Sequence, residues 1–435
     1  MYLKLYRFFS FIAGPIIDLW FLKRRKNGKE DSKRFNERLG HPGFPRPEGS
    51  LVWMHAASVG EIMSVLPLIN HINEKYSDIN ILVTTGTVTS AKLLDKRLPK
   101  RVMHQYVPID KLPTVLRFLR HWRPDFVLWV ESELWPNLIV ETHKTGCPMA
   151  QINARISKNS FNKWQKCISL SNQILECFTI NLSQSEEDKN RFTALGSPNA
   201  KYVGNLKYDA SPLPASPKET GQLVGMIGNR PIWIAASTHP GEEELLAETH
   251  NILMKEHKSL LLIIIPRHPD RGKEIKEKLD NQELKSAIRT EEEEITEDTN
   301  VYIANTIGEL GIFYRLANIV FMGGSIVEHG GQNPLEAARL QCSLITGIHT
   351  ENFVKIYREL EENNALIRIH SNEELAEKVD LLLKDHEVQE KLSSTALELI
   401  KSKQGVLEKY IEELTPYIHP LSNSYNDQDS EILEE

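Results

Sequence analysis

The sequence predicts an α/β protein built from two doubly wound domains, each a parallel sheet with helices on both faces. Three observations carry that expectation. Short runs of Val, Ile and Leu alternate with segments whose apolar residues recur every three or four positions, the alternation of parallel strands joined by helices. The pattern stops at a Pro/Ser-rich stretch, residues 209–217 (DASPLPASP), and restarts beyond it. The 435 residues are too many for one ordinary core and suit two of about 200 each.

Taken in order, residues 1–22 (MYLKLYRFFSFIAGPIIDLWFL) are nearly all apolar from Phe8 onward, broken by Pro15 and Asp18, and a KRRK run follows at 23–26. Roughly 15 apolar residues fall short of the about 20 that a spanning helix needs, and no small-residue cleavage site marks a removed signal. Two readings stand: a short membrane anchor with its basic run on the cytoplasmic side, or an amphipathic helix packed on the body. Strands are expected at 51–55, 79–85, 125–130 and 148–152, with helices such as 61–76 and 113–122 between them. After the linker, strands are expected at 232–236, 260–265, 300–304, 318–322 and 343–346. The resulting plan is an anchor at 1–22, a first domain at 23–210, a linker at 211–217, a second domain at 218–410 and an acidic, disordered tail at 411–435. The two domains are expected to face each other across a cleft.

Lys and Arg number 52 against 59 Asp and Glu, a formal charge of −7. Residues 1–40 carry ten basic and four acidic side chains, whereas the stretch from Ile411 carries seven acids and no Lys or Arg. Without a pervasive positive field to release counterions from a polynucleotide, a globally basic nucleic-acid binder is disfavoured and no nucleic-acid partner is expected. Cys147, Cys167, Cys177 and Cys342 show no CxxC spacing, which argues against zinc or a disulfide framework and for buried small side chains.

In doubly wound sheets the ligand lies beyond the carboxyl ends of the strands, so the strand-to-helix loops should carry the chemistry. After the first strand comes HAASVGE (55–61); Glu61 opens the next helix, where an acid either complements the dipole or serves a substrate. The loop TTGTVTS (84–90) offers hydroxyls and amides to a ligand, or simply caps a helix. Glu131 and Glu133 follow a buried strand in ESELWP, where carboxylates are costly without a purpose. In the second half, AASTHPGE (235–242) and IPRHP (265–269) each follow a strand, and Arg267 suits a phosphate as a permanent, bidentate cation. TIGEL (306–310) supplies a glycine and an acid before a helix. In GGSIVEHGGQNPLE (323–336) the glycine pairs are expected to free backbone amides for a phosphate, with Asn333 capping a helix and Pro334 at its first position. Glu336 either completes a capping box or holds ribose hydroxyls. No GxGxxG or Walker pattern follows the first strand, and the only DxD, Asp427–Asp429, lies in the acidic tail. A dinucleotide cofactor, a P-loop and a strand-end metal–diphosphate site are therefore not expected.

The ordered set ERLG (37–40), HAASVGE, ESELWPN, INAR (152–155), GNLKYD (204–209), AASTHPGEE, PRHP, TIGELG, GGS…GGQNPLE and GIH…NF (347–353) resembles the transferases of 3-deoxy-D-manno-octulosonic acid (Kdo) over essentially residues 1–410. The resemblance implies a two-domain GT-B glycosyltransferase with an N-terminal membrane-anchor helix, at the cytoplasmic face of the inner membrane. It implies a metal-independent, cofactor-free, inverting transfer of Kdo from CMP-Kdo to a lipid A precursor (lipid IVA) in lipopolysaccharide biosynthesis. The first domain would then bind the acceptor and the second the CMP-sugar. By position, Glu61 matches the family's general base, and Glu131 and Lys207 match its transition-state supports. Pro266 and Arg267, then Ile307, Gly308 and Glu309, then Asn333, Pro334, Leu335 and Glu336 match its CMP-binding stretches. The chain departs from the family pattern at Gln332, where His is common, at Asn305, where an acid often stands, and at Ile348, where Pro is usual. Rival readings are a GT-B-like sugar-nucleotide epimerase and an inactive nucleotide-sugar-binding scaffold.

Overall fold

Strands form where the apolar runs stand, and several short ones form where no run announces them. The computed structural model describes residues 2–422; residues 423–435, most of the expected acidic tail, lie outside the described residues. The chain divides into two units, one comprising the residues up to Ala210 together with those from Gly405, the other Ser211–Gln404.

The first unit holds a seven-stranded sheet of β1 (Leu51–His55), β2 (Asn80–Thr85), β3 (Met103–Tyr106), β4 (Phe126–Val130), β5 (Met149–Ala154), β6 (Ile180–Ser183) and β7 (Ala200–Tyr202). Every pairing is parallel, in the order β3-β2-β1-β4-β5-β6-β7. β1 and β4 are buried along their whole length, which is why they read as continuous apolar runs. Two apolar clusters cover the sheet, one around Val52, Leu128 and Ile152, the other around Trp53, Trp129 and Phe118. Strand order reverses between β1 and β4, the point at which open α/β sheets admit ligands.

The second unit repeats the plan with β8 (Ile232–Thr238), β9 (Leu261–Pro266), β10 (Ser286–Ile288), β11 (Val301–Ile303), β12 (Ile319–Met322), β13 (Ser343–Thr346) and β14 (Ile367–Arg368). Its order is β10-β11-β9-β8-β12-β13-β14, again wholly parallel, with the reversal between β8 and β12. A cluster including Trp233, Leu262, Phe321 and Leu375 forms part of its core, and Ile234, Ile263 and Val320 on the same strands are fully buried as well.

Three expectations need correction. First, the N-terminal segment is not one anchor helix but two, α1 (Tyr2–Ile12) and α2 (Gly14–Lys26), bent by 57° where Gly14 and Pro15 interrupt the ladder. Neither helix is long and apolar enough to cross a membrane; the bent pair together is, by length and composition only. One side of the pair is tied to the unit: Leu3 is buried, the Tyr6 hydroxyl donates to Asp110 (2.8 Å), Arg7 donates to Asn137 (3.0 Å) and pairs with Glu141, and Asp18 pairs with Lys111 (2.8 Å). The opposite side leaves Phe8, Phe9, Phe11, Ile16, Leu19 and Trp20 exposed.

Second, the second domain does not run to 410, nor does an acidic tail begin at 411. A helix, Val406–Ile418, lies in the first unit and buries Val406, Tyr410, Leu414 and Ile418, one residue per turn, against the Val52–Leu128 cluster. Its acids Glu412 and Glu413 stand off that stripe, so charge composition concealed an amphipathic helix. Third, residues 211–217 are not a free linker: the chain from Ser211 belongs to the second unit, and Gly311 approaches Leu213 and Pro214 so closely that a Cβ would meet the Pro214 carbonyl at 2.3 Å. Of the cysteines, Cys147, Cys177 and Cys342 are buried as expected and Cys167 is exposed.

Tyr410 is fully buried. Tyr410→Ala should destabilise the first unit by about 3–5 kcal/mol, read in urea as an earlier first transition with the second unit's transition unmoved. Coincident, unshifted transitions would contradict the packing.

Candidate active site

In the first unit the loops on either side of the strand-order reversal carry the acids. Ser58 caps the helix Val59–Lys75, its hydroxyl accepting from the Glu61 N–H (3.3 Å) and donating to Glu61 Oε1 (2.9 Å), while the Ala57 N–H donates to Glu61 Oε2 (2.8 Å). Both carboxyl oxygens are thus fixed, and the side chain is buried. Burial raises the Glu61 pKa and the nearby Glu131 charge adds to it; the two hydrogen bonds oppose without prevailing, and the carboxyl is pushed up to about 8. Glu133 contributes a smaller push, and burial raises its own pKa as well.

Glu131 sits directly past β4 with φ +56°, a left-handed conformation rarely taken by residues other than glycine, asparagine and aspartate. Its N–H is tied to the Ile152 carbonyl (3.0 Å), and its own carbonyl accepts from the Gln151 amide (2.7 Å). Strain of this kind persists where surroundings over-determine the backbone, and it collects at functional sites. The Glu131 carboxylate is ion-paired with Lys207, both side chains being about nine-tenths buried. Lys207 lies in a single 3-10 turn, Leu206–Tyr208, capped by Asn205, whose side chain accepts from the Lys207 N–H (3.0 Å). That turn is held from two directions. Asn153, at φ +49°, accepts from the Leu206 N–H (3.1 Å), and the Tyr410 hydroxyl lies 3.1 Å from the Gly204 carbonyl and accepts from the Asn153 N–H (3.1 Å). Asp209 closes the turn by accepting from the N–H groups of Gly405 (3.0 Å) and Leu407 (2.5 Å). The structure therefore brings Glu61, Glu131, Glu133 and Lys207 together. The hydroxyls of 84–90 are used internally: Thr87 caps the helix Val88–Arg97, Thr84 accepts from the Trp53 indole (2.9 Å), and Thr85 meets His104 (2.9 Å).

In the second unit, Pro266 ends β9 and Arg267 is exposed, with no carboxylate partner among the described residues. The loop that presents it is fixed by Arg271, nearly buried and bidentate on the wholly buried Glu243 (2.7 and 3.1 Å), to which Thr238 also donates (2.9 Å). Ile307 is exposed and Gly308 takes φ +89°, while the Glu309 carboxylate is held by Arg289 (2.5 and 2.7 Å) and by Thr306. Asn333 accepts from the Leu335 N–H (3.2 Å) and its amide donates to Glu336 (3.5 Å), with Pro334 and Leu335 packed inward. The helix begins at Leu335, one position later than expected, and Glu336 answers the Asn333 side chain rather than its backbone.

One expectation fails outright. The first glycine pair does not free amides for a phosphate, because the Glu242 carboxylate already accepts from the N–H groups of Gly324 (2.7 Å), Ser325 (3.1 Å), Ile326 (3.2 Å) and His239 (3.0 Å). Gly323 is required for another reason: a Cβ there would meet the Ser237 carbonyl at 2.7 Å, and its N–H donates to Ala236. Sequence reasoning gave no role to Glu242, Glu243, Arg271, Asn153 or Tyr410; the adjacent acids of HPGEE, directly after a strand, were the available signal. Among the described residues, the one grouping with metal-ligand spacing, Glu256, His257 and Asp380, has Lys384 ion-paired to both acids.

Carboxyl-selective NMR should show Glu61 titrating near pH 8, and Glu131→Gln should lower that midpoint by removing the neighbouring charge. A Glu61 midpoint below 5 would contradict the burial and the pairing.

Comparison with known proteins places this geometry. Residues 33–210 match the family model described as 3-deoxy-D-manno-octulosonic-acid transferase (kdotransferase), and residues 237–398 match that of glycosyl transferases group 1. A probable mitochondrial 3-deoxy-D-manno-octulosonic acid transferase of Arabidopsis thaliana is 37% identical over 398 residues, covering 89% of each chain. The 3-deoxy-D-manno-octulosonic acid transferase of Rickettsia bellii is 34% identical over 417 residues, 95% of this chain and 99% of that one. Among solved structures, Anabaena HepE in complex with UDP and glucose superposes with a TM-score of 0.56 at 12% identity, covering 84% of this chain and 99% of that one, a likeness of fold alone. The two parallel-sheet units are those of a GT-B glycosyltransferase, and by its sequence kinship over nearly its full length the chain belongs to the Kdo transferase family.

Proposed function

We propose that this glycosyltransferase moves Kdo from CMP-Kdo to a lipid A precursor, lipid IVA, with inversion at the anomeric carbon. The observation that carries the reading is Glu61: a buried carboxyl, fixed through both oxygens, whose proton affinity is raised toward neutral pH beside the Glu131–Lys207 pair. A carboxylate of ordinary pKa is a weak base at pH 7; one raised to about 8 matches the proton it must take. Glu61 accepts the proton of the acceptor hydroxyl as that oxygen bonds to the anomeric carbon. The bond from that carbon to the phosphate oxygen breaks, and CMP leaves with the electron pair. Inversion follows from a single displacement on the opposite face. In the first unit Lys207 supplies positive charge as the phosphate departs, and Glu131 supplies negative charge for the sugar as it becomes electron-poor.

The acceptor is a lipid, and the exposed face of α1 and α2 suits a bilayer. Phe11, Ile16 and Leu19 are 81%, 71% and 69% exposed, which supports a contact with lipid, and the 23–26 basic run ends the second helix. We assign this face to the cytoplasmic side of the inner membrane, where basic residues meet anionic lipid.

Glu61→Gln should lower kcat by about 10²–10⁴-fold with CMP affinity unchanged. In the wild type, kcat/KM should rise with pH as Glu61 ionises near 8, and in Glu131→Gln that limb should move to lower pH on a reduced maximum. A fully active Glu61→Gln enzyme excludes this base. A Phe11→Ser/Ile16→Ser/Leu19→Ser variant should keep CMP binding and lose co-sedimentation with anionic vesicles; undiminished co-sedimentation would rule out this face.

A further inference from the structure

The donor's phosphate needs a partner in the second unit, and most of the backbone amides expected to provide it are engaged: Glu242 accepts from Gly324, Ser325 and Ile326, while Gly323 donates to the Ala236 carbonyl and Gly331 to that of Gly324. What stands at the same strand ends instead is a group of imidazoles. His239 directly follows β8, and His329 lies in the loop after β12, so the two flank the reversal of strand order. Their rings stack face to face, centroids 4.1 Å apart and 20° between planes. His268, beside Arg267 in the loop after β9, meets His239 edge-on at 6.1 Å. His239 is buried over Gly324, where a Cβ would meet its ring at 3.0 Å, and Gln332 lies 3.2 Å from its Nε2. Among the described residues none of His239, His268, His329 or Arg267 is paired with a carboxylate. Glu242 accepts from the His239 backbone N–H, and Arg271 is neutralised by Glu243 and Glu274.

We propose that the stacked imidazoles of His239 and His329, with Arg267 at their rim, form the seat of the donor's phosphate group. This rests on the reading of the chain as a CMP-sugar-dependent transferase. Four groups able to carry positive charge are held together with no counter-charge, an arrangement that an arriving anion completes. In its absence burial and the neighbouring His329, His268, Arg267 and Arg271 hold the His239 pKa down, at about 4, so the free site stays neutral at its centre and does not repel itself. A phosphate reverses the balance: each imidazole N–H it accepts from becomes a charge-assisted hydrogen bond. Gln332, at a position where the family pattern commonly has His, bonds to His239 and orients the ring without adding a further cation.

Calorimetry of the full chain with CMP and with cytidine, which has the same base and ribose but no phosphate, tests this. His329 is exposed, so His329→Gln carries little folding cost; it should weaken CMP about tenfold and leave cytidine unchanged. His239→Gln should do the same, with an unchanged melting temperature showing that the loop is intact. CMP affinity equal to wild type in both variants would overturn the seat. An equal loss for cytidine would overturn it too, since the rings would then face base or ribose. If wild-type protein binds no CMP at all, it is the donor reading itself that fails.

Discussion

A carboxylate at the end of a fully buried strand cannot be left unpaired, and the first unit is arranged around that constraint. Glu131 follows β4 directly, in a left-handed backbone conformation, with only about a tenth of its side chain exposed. Removing one partner of such a pair leaves an isolated buried charge, costing about 3–5 kcal/mol. Lys207 must therefore be delivered to it, and everything around residues 204–209 serves that delivery: Asn205 and Asn153 fix the turn, Tyr410 braces Asn153, and Asp209 locks the turn to the start of the C-terminal helix. The return of the chain into the first unit at Gly405 is thus part of how the pair is made.

The same economy of buried charge operates in the second unit with a different outcome. There the acids are spent on scaffolding. Glu242 gathers four N–H groups and so holds the glycine loop to the helix that begins at that residue, while Glu243 and Arg271 join the end of β8 to the loop after β9. Glu309 is consumed by Arg289. With those carboxylates engaged, Arg267 and the imidazoles of His239, His268 and His329 have no carboxylate partner among the described residues. The first unit, by contrast, buries Glu61 and Glu133 beside the Glu131 charge, so their proton affinity rises. One fold thus carries a buried carboxyl of raised proton affinity in one unit and, in the other, an exposed arginine beside clustered imidazoles.

Much of this was legible in the sequence. Val- and Ile-rich runs marked β1, β2, β4, β5, β8, β9 and β12, because strands buried on both faces must be continuously apolar. Loops after those strands held Glu61, Glu131 and Arg267, and their order along the chain carried the family resemblance. The edge strands β3, β7 and β14 were not legible: they are short and carry polar residues such as His104, Gln105, Lys201 and Arg368, so no run stands out.

What the sequence determined by itself was therefore the fold class and the strand-end loops in which Glu61, Glu131 and Arg267 stand. Only the tertiary structure decided what each group does with its charge. Whether Glu242 opens a phosphate site or closes one depends on which N–H groups fold back upon it. Whether 406–418 is tail or core depends on a stripe that has meaning only against β1 and β4. The apolar N-terminus is one segment in sequence and two helices in space, because a Gly-Pro step ends one hydrogen-bond ladder and starts another. Sequence periodicity reports local geometry and burial; the pairing of charges across more than 70 residues, as between Glu131 and Lys207, is set by the fold alone.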